Sequence, residues 1–305
     1  MIDYFSFTSK IHNNASLITD LGLYGIDQWQ TTKGNYGYLH CSFFGGMRLY
    51  FGKEDESVYF SMSGQGCRSF ETYSTLSWHE LFFKLIDDEE HYNITRIDVA
   101  CDEKENILDI NKIHNYTERK QIAMRFQWYL CNKGSEGISV VLGSPQSNIR
   151  IRIYDKNAER GFTEGHWIRC ELQLRDELAL AMVKKLLHFD TGRCFTGVLN
   201  NYIRYIKNDD NEKWRCSTTN WWQKFINTAE KIKIYESVGV DYNLHRLEHF
   251  LDKQIGNSMY TYWKCCGSDV TKLLDIIKNH EGTLSIQQKN LIQEINDLKE
   301  ISETL

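Results

Sequence analysis

The residues most capable of chemistry lie on three alternating segments. In Asn148–Tyr154 (NIRIRIY) every second residue is isoleucine. Successive strand side chains point to opposite faces, so Ile149, Ile151 and Ile153 turn to a core while Arg150, Arg152 and Tyr154 share the other surface. By the same parity Ile94–Asp102 sets Arg96, Asp98 and Asp102 on one side, and Trp167–Arg175 sets Arg169, Glu171, Gln173 and Arg175 on one side. If the three polar faces coincide, carboxylates suited to a hard divalent cation, guanidinium forks suited to phosphate and a phenol nucleophile meet on one surface. A solvated sheet face with cross-strand arginine–carboxylate pairs is the alternative this pattern leaves open. A phenol of pKa about 10 needs help at neutral pH. Arg150, Arg152 and Lys156 are the groups that could stabilise a phenolate, and Mg²⁺ or Mn²⁺ on Asp98 and Glu171 could neutralise charge developing on a phosphate. Such an attack exchanges one phosphodiester for another and keeps the bond for rejoining, which hydrolysis by water does not.

The elements that must position these residues follow from periodicity. Strands are expected at Asp3–Thr8, Tyr36–Phe44, Gly46–Phe51 and Ser57–Met62, punctuated by glycines as in an antiparallel meander. Ser77 with Glu80 forms a capping box for a helix over Ser77–Ile86. A strand at Asn93–Cys101, a helix at Ile110–Arg119 and strands at Gly137–Gly143, Asn148–Tyr154 and His166–Arg175 follow. From Glu177 the spacing is helical: Glu177–Phe189, Phe195–Ile206, Asn220–Ile232, Leu244–Ile255, Asp269–His280 and Ser285–Glu303. The expected fold is α+β, a mixed and largely antiparallel sheet domain over residues 1–232 followed by a helical region over 233–305.

Composition bounds the class. The chain has 305 residues, 41% hydrophobic and 25% charged, which excludes disorder, collagen and a whole-chain coiled coil. Its longest apolar runs, such as Leu178–Val183, fall far short of a membrane span, and Met1–Asp20 lacks the parts of a signal peptide, so no membrane partner is expected. Nine cysteines without a C-x-x-C pair point to a reduced, cytoplasmic chain. The net charge of −5 argues against coating nucleic acid through bulk charge. Residues 181–233, however, hold ten Lys and Arg against five Asp and Glu, interleaved with Tyr202, Tyr205, Trp214, Trp221, Trp222 and Phe225. Lys213 and Arg215 there are candidate phosphate contacts, and a solvated helix face over an aromatic core is the competing reading.

Other motifs carry less. His245-Arg-Leu-Glu-His249 fits an inverted zinc pattern, with few residues left to supply a third ligand. No G-x-x-x-x-G-K-[ST] occurs, so unwinding of DNA would need a partner. No His-x-His pair occurs either.

SMSGQGCRSFE (Ser61–Glu71), TRIDVACDE (Thr95–Glu103), LGSPQS (Leu142–Ser147) leading into NIRIRIYDKNAER (Asn148–Arg160), and WIRCELQLR (Trp167–Arg175) occur in that order, with NWWQKFI (Asn220–Ile226) behind them. Together they resemble the replication initiation factor family of rolling-circle plasmid and phage initiators and conjugative relaxases. The resemblance covers about residues 1–230. It implies that Tyr154 cleaves DNA, forming a covalent 5′-phosphotyrosine and leaving a free 3′-hydroxyl to prime synthesis. It implies that Asp98 and Glu171, with Glu71 as a third ligand, hold the catalytic metal. Ser63, Gly64, Gly66 and Arg68 match a family turn whose glycines would admit a close backbone neighbour or a phosphate; Arg68, Arg169 and Arg175 join the candidate DNA contacts. The implied partners are an origin hairpin, single-stranded at the nick, a superfamily 1 helicase and a second copy of the chain. The chain opens on its first strand, without the additional N-terminal region of some relaxases, and a compact initiator is expected. A relaxase starting conjugative transfer by the same chemistry, and a non-catalytic origin-binding protein, remain the alternatives. Residues 233–305 are expected to serve DNA specificity or partner binding.

Overall fold

The computed structural model describes residues 1–10, 13–23, 29–134, 137–162, 164–230 and 256–279, with single residues at 251, 292 and 296. The chain divides into two units, Met1–Ile234 and Tyr235–Leu305. The first is built on a ten-stranded sheet. Its strands are β1 (Ile2–Ser9), β2 (Gln30–Lys33), β3 (His40–Phe44), β4 (Met47–Phe51), β5 (Val58–Met62), β6 (Tyr92–Glu103), β8 (Tyr129–Gly134), β9 (Gly137–Leu142), β10 (Ile149–Asp155) and β11 (Ile168–Arg175). They lie in the order β2-β3-β4-β5-β1-β6-β11-β10-β9-β8, and β7 (Ile122–Met124) pairs separately with β12 (Ile203–Tyr205). Every pairing among the described residues is antiparallel, so the parallel component of the expected mixed sheet is absent.

Parity sorts the two faces. Phe5, Phe7, Phe60, Ile97, Val99, Ile151, Ile153, Cys170 and Leu172 are fully buried in one core, each contributing roughly 1.5–3 kcal/mol by leaving water. The helices α2 (Gly64–Tyr73), α3 (Trp78–Asp87), α4 (Ile110–Glu118) and α6 (Asp176–Leu186) supply Phe70, Trp78, Leu81, Ile113 and Val183 to the same core. The capping box of α3 is present: Glu80 N donates to Ser77 Oγ at 3.2 Å and Ser77 N donates to Glu80 Oε2 at 2.6 Å. Further helices are α1 (Asn14–Asp20), α5 (Lys156–Glu159), α7 (Thr191–Tyr202) and α8 (Asn220–Ala229).

Some elements differ from the sequence expectations. The S-G-x-G-C-R segment is the start of α2, with Gly66 N donating to Ser63 Oγ at 3.4 Å. The β3–β4 hairpin tip docks on it, since Ser63 N donates to Gly46 O at 3.2 Å and Ser69 Oγ to Gly45 O at 2.7 Å. A Cβ on Gly66 would stand 2.4 Å from Gly46 O, and Gly46 itself has φ +87, so both positions require glycine. The strand expected at Tyr36–Phe44 begins only at His40, because Asn35–Tyr38 closes a turn through Tyr38 N to Asn35 O at 3.0 Å. The helix expected at Phe195–Ile206 stops at Tyr202, where Ile203 and Tyr205 turn inward as β12.

In the second unit, α9 (Gly256–Cys265) neighbours α10 (Val270–Lys278), which Asp269 caps by accepting from Thr271 N at 2.9 Å. His245 and His249, and nearly all of the helices expected at Leu244–Ile255 and Ser285–Glu303, lie outside the described residues.

Candidate active site

Sheet order makes β10, β11 and β6 neighbours, and register joins their polar faces. Arg152 stands opposite Glu171 and Tyr154 opposite Arg169. On the other side of β11, Gln173 stands opposite Asp98, Glu171 opposite Ala100 and Arg169 opposite Asp102. Tyr154 sits one residue before a strand–helix junction: Asp155 Oδ1 accepts from Ala158 N at 3.0 Å to cap α5, and Lys156 N donates to Trp167 O at 2.8 Å. Tyr154 and Lys156 thus flank a fixed corner.

The Tyr154 hydroxyl donates to Glu171 Oε2 at 3.2 Å, and Lys156 Nζ donates to that hydroxyl at 3.5 Å. The Arg152 guanidinium and Lys156 Nζ lie 4.9 Å and 5.4 Å from the centre of the phenol ring. Arg152 Nη1 also reaches Glu171 Oε1 at 3.6 Å, and Lys156 pairs with Glu159. Together they cover the ring, which is only 5% exposed. Burial, then the Glu171 charge, push the phenol above its ordinary pKa, with Arg169 and Arg152 opposing the shift. The resting hydroxyl is therefore neutral.

Asp98 and Glu171 are both buried, at 2% and 4% exposure. Arg96 grips Asp98 with Nε on Oδ1 at 2.8 Å and Nη2 on Oδ2. Burial raises the Asp98 carboxyl to about 7; Arg96 opposes the shift, and the charges of Glu171 and Asp3 add to it. Two buried carboxylates that repel each other on one face are the donor type a hard cation takes. Mg²⁺ commonly uses one or two carboxylates and fills its remaining positions with substrate phosphate and water. The pair fits such an ion in chemistry. Among the described residues no group of three carboxylate, histidine or cysteine side chains is assembled for a metal. Glu71 is held elsewhere, on α2, where its Oε1 accepts from Trp78 Nε1 at 2.7 Å and pairs with Arg68 Nη2 at 2.9 Å.

The arginines divide. Arg169 is 5% exposed and bridges Asp102, through Nε at 2.6 Å and Nη2 at 2.8 Å, to Asp3 through Nη1 at 2.9 Å. Its geometry is that of an internal clamp, with little surface for DNA. Arg68 donates to Ile2 O at 2.7 Å as well as pairing with Glu71. Arg175 donates to Pro145 O at 2.8 Å and stands directly opposite Arg96. Arg150 Nε is buried without a hydrogen-bond partner, and burial together with Arg152, Arg175 and Arg96 lowers its pKa. Like charges gathered this way are destabilising unless an anion joins them. Lys213 Nζ donates to Lys120 O at 2.8 Å and Arg215 Nε approaches Asp210 at 3.6 Å, both at the surface. The aromatics of that basic stretch are largely core: Tyr205, Trp222 and Phe225 are buried, while Trp214 is exposed between Arg125 and Arg204.

Sequence parity did not single out Asp3 or Tyr4. A register shift between Ile2 and Tyr4 keeps Ile2 in the core and leaves Tyr4 opposite Asp98, and Asp3 reaches Arg169 on the polar side. An irregularity of that kind has no signature in the alternation.

Comparison with known proteins agrees with this architecture. The N-terminal domain of rolling-circle replication initiation proteins matches residues 1–87. The chain is 26% identical over 260 residues to the candidate DNA relaxase NicK of Bacillus subtilis strain 168, covering 77% of this chain and 72% of that protein. The solved rolling-circle replication initiator protein of Geobacillus stearothermophilus superposes with a TM-score of 0.69 at 28% identity, covering 77% of this chain and 97% of that one. The replication initiation factor family itself matches residues 92–277, more than half of the chain and the part that carries Asp98, Tyr154 and Glu171, and the protein belongs to that family.

Proposed function

We propose that the protein is a metal-dependent, sequence-specific DNA nickase that initiates rolling-circle replication through Tyr154. The observation that carries the reading is the Tyr154 hydroxyl seated between the Glu171 carboxylate and the Lys156 ammonium on a face lined by Arg150, Arg152 and Arg175. A phosphate drawn to these cations takes Arg152 and Lys156 off the ring and opens Tyr154 to it. Glu171 accepts the phenolic proton, and Tyr154 Oη attacks phosphorus. A tyrosyl–phosphorus bond forms, the bond to the 3′ oxygen breaks, and that oxygen takes up a proton to leave a free 3′-hydroxyl beside a 5′-phosphotyrosine. Arg152 and Lys156 compensate negative charge on the phenolate and the phosphoryl oxygens. Asp98 and Glu171 would hold Mg²⁺ or Mn²⁺, which when bound supplies Lewis-acid polarisation of the scissile phosphate.

Rejoining reverses the same exchange. The motor for unwinding comes from a partner, for which a superfamily 1 helicase is the proposal, with a second copy of the chain as the other partner and residues 233–305 as the specificity or docking region. The likeness to a candidate DNA relaxase supports a second reading, the same chemistry at an origin of transfer.

The test is a denaturing gel for a protein–DNA adduct formed with Mn²⁺ and single-stranded hairpins from the protein's own replicon. A metal-dependent adduct absent from Tyr154→Phe supports the reading. An adduct retained by that variant removes Tyr154 as nucleophile, and binding without any adduct favours a non-catalytic origin-binding protein.

A further inference from the structure

The sheet face that carries Tyr154 continues past Asp98 into a field of tyrosines that the nicking chemistry does not use. Tyr4 on β1 stands opposite Asp98, and Arg96 lies over its ring at 4.2 Å. The Tyr4 hydroxyl meets that of Tyr59 on β5 at 3.3 Å. Tyr59 stands opposite Tyr50 on β4, and the two rings stack with centres 5.5 Å apart and 28° between planes. Tyr38 stacks on Tyr59 at 6.5 Å, and Lys53 sits 5.5 Å over Tyr38. Tyr38, Tyr50 and Cys41 form a small buried cluster separate from the main core. Above them Tyr36 stands edge-on to both Tyr50 and Tyr59, at 5.6 Å and 6.0 Å, and is 75% exposed.

Tyr36 is the anomaly. Its ring faces solvent at the tip of a turn, on a residue with φ +58, a backbone conformation that a bulky side chain does not favour. A satellite core explains Tyr38 and Tyr50, which are nearly buried. It does not explain an exposed ring braced by two others beneath it.

We propose that Tyr36, braced by Tyr50 and Tyr59, is a stacking platform for unpaired bases of the DNA strand that runs across this face to Tyr154. The proposal rests on the nicking reading for the presence of DNA on the face and deepens it by assigning a single-strand subsite. Continuity argues for this occupant. From β10 to β4 the face is one surface, five interstrand steps of about 4.8 Å. Arg152, Arg96 and Lys53 lie over the rings of Tyr154, Tyr4 and Tyr38, each also paired with a carboxylate that a phosphate would have to displace, Glu171, Asp98 and Asp55. Rings interleaved with cations are the combination that holds single strands without reading sequence, because every base offers a π-face.

The experiment uses the full chain carrying Tyr154→Phe, so that binding is read without cleavage. The probe is fluorescently labelled oligothymidylate of about 20 nucleotides, with affinity read by anisotropy. Tyr36→Ala should weaken binding about 5- to 100-fold, and Tyr36→Trp should retain it. Tyr36→Asn, which suits the left-handed backbone, should lose affinity equally while melting at or above the parent temperature, and so separates ring loss from misfolding. Unchanged affinity in Tyr36→Ala and Tyr36→Asn overturns the platform and turns the exposed loop into a surface for a protein partner. Intact stacking with no adduct from the Tyr154-bearing protein overturns the nicking reading alone.

Discussion

Tyr154 on β10 and Glu171 on β11 are joined across the ladder by a hydrogen bond of 3.2 Å from the phenol to the carboxylate. The proposed nucleophile is thereby tied to the carboxylate proposed to accept its proton, while Arg152 approaches the other carboxylate oxygen at 3.6 Å. Glu171→Gln keeps the shape but removes both the basicity and the charge proposed to hold the cation, so adduct formation should fall by about 100-fold or more, with DNA binding in the absence of metal within about twofold. Burial and the Glu171 charge hold the phenol above its ordinary pKa, so it needs a base beside it at neutral pH. With saturating Mn²⁺, single-turnover adduct formation by the parent should be nearly flat from about pH 6 to about pH 9, because the proton passes directly to the Glu171 carboxylate, and should rise with pH in Glu171→Gln, where only solvent base can take it. A flat profile in the variant, with chemistry shown to be rate-limiting, would remove Glu171 as the proton acceptor.

Asp98 titrates higher than a carboxyl in water, at about 7 against 3.8, chiefly because it is buried. The folded state binds this proton more tightly than the unfolded chain, so the stability gained is complete below about pH 4 and lost as pH rises to about 7. A cation on Asp98 and Glu171 competes with that proton. The rise in melting temperature on adding Mn²⁺ should therefore be larger at pH 8 than at pH 6. Asp98→Asn should abolish both the Mn²⁺ shift and the metal-dependent adduct, and an equal Mn²⁺ shift in the variant would place the ion elsewhere.

The individual faces were legible and their assembly was not. Alternation in NIRIRIY gives the parity of Tyr154 directly, and β11 reads as plainly. That β6, β11 and β10 are neighbours depends on sheet order, which joins strands far apart in the chain and leaves no trace in any one of them. Gly64 and Gly66 suggested a turn because glycine is the commonest turn residue. The spacing of Cys67 and Phe70, both buried, was the overlooked sign of a helix, and that helix carries Glu71 into the helical layer. Among the aromatics of residues 202–225, the pattern favoured a packed core over DNA contact, and burial places Tyr205, Trp222 and Phe225 in that core.

The clamp at Arg169 should govern the acid stability of the site. Burial pushes Asp102 up, but the Arg169 guanidinium outweighs it and holds the carboxyl below its usual value. The stability from this depression is present above the ordinary carboxylate range and lost as pH falls through the lowered folded value. Arg169→Gln leaves Asp102 without its partner and should cost about 3 kcal/mol at pH 7. The gap in melting temperature between parent and variant should shrink by about pH 4 as Asp102 protonates. A gap that stays constant over that range would show that lost packing, not charge pairing, is what the variant removes.

Two glycine substitutions should move stability in opposite directions. Gly66 lies under the β3–β4 tip, where a Cβ would meet Gly46 O at 2.4 Å and Met47 N at 3.0 Å, both backbone atoms with no rotamer to yield. Gly66→Ala should cost about 1–3 kcal/mol and lift the hairpin from α2, seen as faster amide exchange over residues 44–47. Gly197 is in the interior of α7, with nothing within 4 Å of the position a Cβ would take. There alanine removes only backbone freedom of the unfolded chain, and Gly197→Ala should stabilise by about 0.5–1 kcal/mol. Thermal melts of the two variants beside the parent decide the matter: a neutral Gly66→Ala would mean that the hairpin is free to shift away from α2, and the close approach of Gly46 to Gly66 would then not be what fixes the first turn of that helix beside Asp3.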